Sequence, residues 1–126
     1  MRTSIRFIRN ASLIVLCAIG VSAFAGTKTN TGVNINDTVG FASGSLDSAR
    51  NSADGLQFIS CEMYSNGNII CKARNSGGVL RSCSTSDAAF VKNVQMINSS
   101  SYISFWWDAD GNCTSLFVRN GSNYLP

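Results

Sequence analysis

The sequence predicts a small α+β domain: an antiparallel sheet of two or three strands, a helix and a two-stranded hairpin, stapled by two disulfides. Three observations carry this. Two strand-like runs flank Ser65-Asn66-Gly67, an apolar stripe at helical spacing follows Ser84, and four cysteines lie beyond the N-terminal segment. The chain has 126 residues, 44% apolar and 13% charged, which suits one domain. It has no histidine, so Ser-His-Asp and Cys-His catalysis and histidine-ligated zinc are excluded.

Residues 1–25 read as a signal peptide. Arg2, Arg6 and Arg9 precede a short uncharged apolar run over 13–21, and Ala23-Phe24-Ala25 supplies the small residues of a cleavage site after Ala25. The protein is therefore expected in the periplasm or outside the cell. The competing reading is a retained anchor, but the uncharged stretch 10–26 is at the short limit of a membrane span and contains Asn10 and Ser12. No stable membrane insertion is expected once the segment is removed. The formal charge of +3 belongs to it: three of ten Lys/Arg and none of seven Asp/Glu lie there, leaving seven of each beyond it. A neutral chain gives no electrostatic case for nucleic acid, and Lys72, Arg74 and Arg81 make only a local basic patch.

Residues 26–44 read as a polar, partly ordered leader, with an edge strand over 33–39 as the alternative. The single domain then spans 45–126. Leu46, Ala49 and Ala53 fall at helical spacing, predicting one or two turns over 45–53. Residues 58–64 and 68–74 form a hairpin around a three-residue loop with Gly67 in the left-handed position. Hydrophobic patterning selects the register that sets Met63 against Ile69 and Cys61 against Cys71, because a one-residue slip would oppose that apolar set with Ile70, Lys72 and Arg74.

Ser76-Gly77-Gly78 predicts a second turn. One loop geometry aligns Cys71 with Cys83 but puts Arg81 on the apolar face, whereas a Gly-Gly turn corrects Arg81 and misplaces Cys83. Residues 84–97 predict the best helix, with Ser84 and Asp87 as a capping box and Phe90, Val91, Val94 and Ile97 as its apolar stripe. A last hairpin joins 102–107 to 113–118 through Asp108-Ala109-Asp110-Gly111-Asn112, and 119–126 is a turn with a short apolar end.

The four cysteines allow three pairings. The hairpin register favours Cys61–Cys71, which leaves Cys83–Cys113. Their spacings of 10, 12 and 30 do not suit a four-thiolate zinc site.

The candidate binding surface is Tyr102, Trp106 and Leu116. On a strand, Trp106 and Trp107 point to opposite faces. Trp107 joins Ile103 and Phe105 on a core face, near Phe117. Trp106 joins Tyr102 on a second face, opposite Leu116 and Val118. Either the helix or the leader covers that second face, or it is an aromatic platform for a sugar or a protein. Asp108, Asp110 and Asn112 resemble the opening of a calcium loop, yet no Glu follows to complete it, and the same residues suit a turn. No cofactor is indicated. No lysine has a serine three residues before it, and the acids form no recognisable pair, so an enzyme is not expected.

The stretches GSLDSARNSADGLQFISC and CKARNSGGVLRSCSTSDAA, with a late G-N-C, resemble small exported bacterial proteins of no assigned activity. The resemblance spans residues 44–113 and implies export and a single domain; it assigns no site. The resulting expectation is an exported binding protein, an inhibitor or a module for protein or glycan. The alternatives are a passive envelope or matrix component and, behind it, a small secreted hydrolase using acidic residues.

Overall fold

The computed structural model describes residues 26–125, so the segment read as a signal peptide lies outside the described residues. In chain order the elements are strands β1 (Asn34–Asn36) and β2 (Phe41–Ser45), helix α1 (Leu46–Arg50), strands β3 (Phe58–Met63), β4 (Ile69–Arg74) and β5 (Leu80–Thr85), helix α2 (Ala89–Gln95), and strands β6 (Ser101–Trp107) and β7 (Cys113–Asn120). A 3-10 turn, Ser122–Tyr124, follows. The fold is α+β with two antiparallel sheets, ordered β1-β2-β6-β7 and β3-β4-β5.

One turn design is used three times. Tyr64 and Asn68 close a three-residue loop through Tyr64 N–H donating to Asn68 O at 2.8 Å; Asn75 with Val79, and Asp108 with Asn112, do the same at 3.1 Å. The third loop residue is glycine each time (Gly67, Gly78, Gly111), with φ of 83°, 80° and 81°. That conformation costs glycine least, and it matches the twist of the flanking strands. The β3–β4 register is the predicted one, with Cys61 opposite Cys71 and Met63 opposite Ile69.

The repeated design also decides the β4–β5 register. Cys71 lies opposite Cys83 and Ala73 opposite Arg81, so Arg81 does stem from the apolar side of its sheet. It is accommodated at the margin, where its guanidinium donates to both carboxylate oxygens of Asp37 at 2.6 and 2.5 Å. That fork-on-fork pair links the β1–β2 turn to the second sheet.

Of the two readings of 26–44 the edge strand is the nearer, since β1 lies within 33–39 at the edge of its sheet. Part of 26–44 is sheet, and β2 lies between β1 and β6, so the expected boundary at residue 44 falls inside a strand. Strand β2 is hard to see in sequence because Ala42, Ser43 and Gly44 are small. Gly44 lies close to its neighbour: a Cβ there would sit 3.2 Å from the Val33 backbone. Gly40, with φ of 62°, makes the turn into β2, where a side chain would collide with the Trp107 carbonyl.

Helix α2 begins at Ala89, not Ser84, which remains on β5 and donates its N–H to Gly111 O at 3.0 Å. The cap position is Ala88, without a side-chain bond, and Asp87 before it accepts from Ala89 N–H at 2.9 Å. The predicted stripe is otherwise as read: Phe90 is buried, and Val91, Val94 and Ile97 pack against the core.

The inner faces meet in one core, which includes Ile59, Ile69 and Cys71 of one sheet and Ala42, Ile103 and Phe105 of the other. Both expected disulfides are present. Cys61–Cys71 crosses one hairpin, and Cys83–Cys113 joins the second sheet to the first, with Cα separations of 4.0 and 5.0 Å. Between α1 and β3, Asp54 organises the loop by accepting from Leu56 N–H, Gln57 N–H and the Gln57 amide. Gln57 in turn accepts from Val33 N–H at 2.7 Å, tying this loop to the start of β1.

Two measurements check these assignments. In urea unfolding, replacing Cys83 and Cys113 together by serine should cost about 3–4 kcal/mol, as the larger loop of 30 residues is released. The corresponding Cys61/Cys71 change should cost less, about 2–3 kcal/mol. The Gln57 amide, then the Leu56 N–H, hold the Asp54 carboxyl at about 2, below its ordinary 3.8. A depressed acid stabilises the fold above its unfolded pKa, and that contribution disappears as pH falls through the folded one. Stability should therefore decline from about pH 3.8 to about 2, and Asp54→Asn should flatten that limb of the thermal midpoint against pH.

Candidate functional site

Strand β6 is apolar on both sides. Ile103 and Phe105 are fully buried on the inner face, while Tyr102, Ser104 and Trp106 point outward. The predicted split between Trp106 and Trp107 is therefore correct. The assignment of Leu116 is not. A bulge inserts Thr114 between the Trp107–Cys113 and Trp106–Ser115 pairs, so every later residue of β7 changes sides. Leu116 consequently lies opposite Phe105 and is 7% exposed, in the core. Phe117, expected inside, is 42% exposed on the outer face opposite Ser104. Leu116 is removed from the candidate surface, and Phe117 takes its place.

The register defines three outward rows across the four-stranded sheet. The first is Asn36, Phe41, Trp106 and Ser115; the second is Asn34, Ser43, Ser104 and Phe117; the third is Ser45, Tyr102 and Arg119. Phe41 and Trp106 pack at 4.9 Å between ring centroids, tilted by 49°. At the other end Tyr102 stacks on Tyr124 at 5.7 Å. The buried small residues Ser43 and Ser104 lie between these aromatic pairs. Along one side the Arg119 guanidinium sits 5.3 Å from the Phe117 ring centroid.

Phe41 comes from the segment expected to be a leader, and it packs beside Trp106 on the same face, which leaves Trp106 half-buried. Tyr124 is fixed by the C-terminal 3-10 turn. That turn is held where Thr29 N–H donates to Asn123 O at 2.8 Å and the Asn123 amide donates to Thr29 Oγ1 at 3.0 Å. Phe41, Phe117, Arg119 and Tyr124 were not visible as site residues in the sequence. Phe41 carried one cue, the preceding glycine of a turn; the bulge at Thr114 carried none.

Asp108, Asp110 and Asn112 build the last hairpin turn. Asp108 Oδ1 accepts from the Asp110 and Asn112 N–H groups at 3.0 and 2.9 Å, and Oδ2 accepts from the Asn112 amide at 3.1 Å. The Asn112 amide first, then the Asn112 N–H, push the Asp108 carboxyl below the ordinary range. Among the described residues no three His, Cys, Asp or Glu gather as metal ligands.

Other acids also have structural partners. Asp47 pairs with Lys28 at 3.1 Å, and Glu62 pairs with Lys72 at 3.2 Å. The Lys72 ammonium, then the Tyr64 hydroxyl, hold the Glu62 carboxyl below its usual value. The basic patch read from Lys72, Arg74 and Arg81 is divided. Lys72 faces Glu62, Arg74 lies 5.5 Å from the Phe58 ring centroid, and Arg81 turns to Asp37. Among the described residues no helix is long and apolar enough to cross a membrane. Compared with family models, curated proteins and solved structures, the chain matches none.

The bulge is testable by two truncations one residue apart. Leu116→Ala should cost about 2–4 kcal/mol in urea unfolding as a cavity opens in the core. Phe117→Ser should change stability by about 0.5 kcal/mol or less, as for an exposed position. The reverse order would restore the unbulged register.

Proposed function

We propose that the protein is an exported binding module and that its working surface is the outer face of the four-stranded sheet. The observation supporting this is the gathering of Phe41, Tyr102, Trp106, Phe117 and Arg119 on one face. A sheet face that serves only for solubility carries polar residues at such positions. Tyrosine, tryptophan and arginine dominate the binding free energy of interfaces: the aromatics bury large area with few rotatable bonds, and arginine adds a planar fork of N–H donors.

A protein partner suits the dimensions. Tyr102 and Trp106 are four residues apart on one strand, on the order of 13 Å, and four strands lie side by side about 4.8 Å apart. This area exceeds one sugar ring. The second reading is a glycan, favoured by the exposed Asn34 and Asn36 beside Phe41, whose amides would meet hydroxyl groups. Export rests on the charged start, apolar run and Ala-Phe-Ala of the first 25 residues, together with two disulfides, which persist in oxidising compartments. Asp37, Asp47, Asp54, Glu62, Asp87 and Asp108 each hold a neighbouring structural group, which favours recognition over acid-base chemistry.

Pull-down from envelope and culture fractions of the producing cell should enrich one protein, in parallel with a glycan array. Trp106→Ala should abolish capture, and Phe117→Ser should weaken it about tenfold with an unchanged melting temperature. Enrichment of no protein and no glycan would point to the passive component. Loss of stability in Trp106→Ala with capture intact would place the binding surface elsewhere.

A further inference from the structure

A second feature lies away from the aromatic face and is independent of it. Between α1, the start of β3 and the loop before β6 runs an open groove of about 650 Å³. This volume is within the range of small-molecule sites, roughly 300–1,000 Å³. Leu46, Ala49, Phe58 and Ile59 make its apolar walls, and Ser99 closes one side. Helical spacing brings Leu46, Ala49 and Arg50 to one face of α1, so the groove has aliphatic walls with a cation on the last turn.

The charges at the groove are asymmetric. Asp47 also lines it, but its carboxylate is 4% exposed, pairs with Lys28 at 3.1 Å and accepts from the Asn51 amide at 2.6 Å. That negative charge is compensated. Arg50 is exposed and forms no ion pair among the described residues. The groove therefore offers an apolar wall to a chain and uncompensated positive charge to its head.

We propose that this groove binds a medium-chain fatty acid, with the alkyl chain along Leu46, Ala49, Phe58 and Ile59 and the carboxylate on Arg50. Arginine matches a carboxylate through paired N–H donors, and the apolar walls take the alkyl chain. A cationic amphiphile of the same length would gain the apolar contact but meet Arg50 with the wrong sign.

Dodecanoate, kept below its micellar limit, is the probe, titrated calorimetrically into the purified oxidised protein, with dodecyltrimethylammonium as the opposite-charge control. Saturable one-to-one binding of dodecanoate alone is expected, with amide shifts in NMR centred on Ala49, Arg50 and Ile59. Arg50→Gln should weaken binding about tenfold. Ser99→Trp, a change at an exposed loop position, should obstruct the groove and remove binding, with thermal melting verifying that both variants fold. Equal binding of the two amphiphiles, no saturable dodecanoate binding, or shifts centred on Tyr102 and Trp106 would each overturn the proposal. The last outcome would concern only this groove, since capture by the aromatic face is read separately with Trp106→Ala.

Discussion

The bridge between Cys83 and Cys113 is the covalent constraint on which the arrangement of the two sheets depends, together with the core they share. Each sheet is a set of hairpins closed by local turns, and local turns do not hold one sheet against another. The shared core does this, and the disulfide ties the two sheets covalently beside it, with the Ser84 N–H bond to Gly111 O and the Arg81–Asp37 pair. The core alone is modest, because Ala42, Ala49, Ala73 and two half-cystines occupy many of its central positions. Small domains with such cores depend on crosslinks, which act by limiting the unfolded chain.

Local chemistry was legible in the sequence to the extent that it was periodic. The alternation of Ile59, Cys61 and Met63 against Ile69, Cys71 and Ala73 set a register, and glycine at the third loop position marked the turns. That register favoured Cys61–Cys71, and hence Cys83–Cys113, without excluding Cys71–Cys83. Legibility ended where structure comes from small residues or from irregularity. Ala42-Ser43-Gly44 gives no hydrophobic alternation, yet it forms a central strand through its pairing with β1 and β6. The Thr114 bulge has no residue signature, and one inserted position exchanged Leu116 and Phe117 between core and surface. The start of α2 was misplaced for a related reason, since the strand hydrogen bonding of Ser84 is long-range and its capping spacing is local.

The same irregularity shapes the candidate site. Without the bulge, β7 would present Leu116 beside Trp106 and bury Phe117. With it, an aromatic ring and the cation of Arg119 lie outside, while an aliphatic side chain fills the core opposite Phe105. Strand β6 thus serves two purposes along one sequence, Ile103 and Phe105 for cohesion and Tyr102 and Trp106 for the surface. Segments far apart in sequence support this face as well, since the contact between Thr29 and Asn123 holds the turn that stacks Tyr124 on Tyr102.

The β3–β4–β5 register places Cys61, Cys71 and Cys83 side by side on one face of three adjacent strands. A ribosome delivers those three thiols well before Cys113. During that interval Cys71 has two neighbours at strand-pairing distance, and only one of them is its native partner. Oxidation that outruns synthesis can therefore join Cys71 to Cys83 and strand Cys61. Cys61 and Cys71 emerge first, ten residues apart, so the order of emergence favours that native pair, and a thiol–disulfide isomerase is needed only where Cys71 has been taken by Cys83.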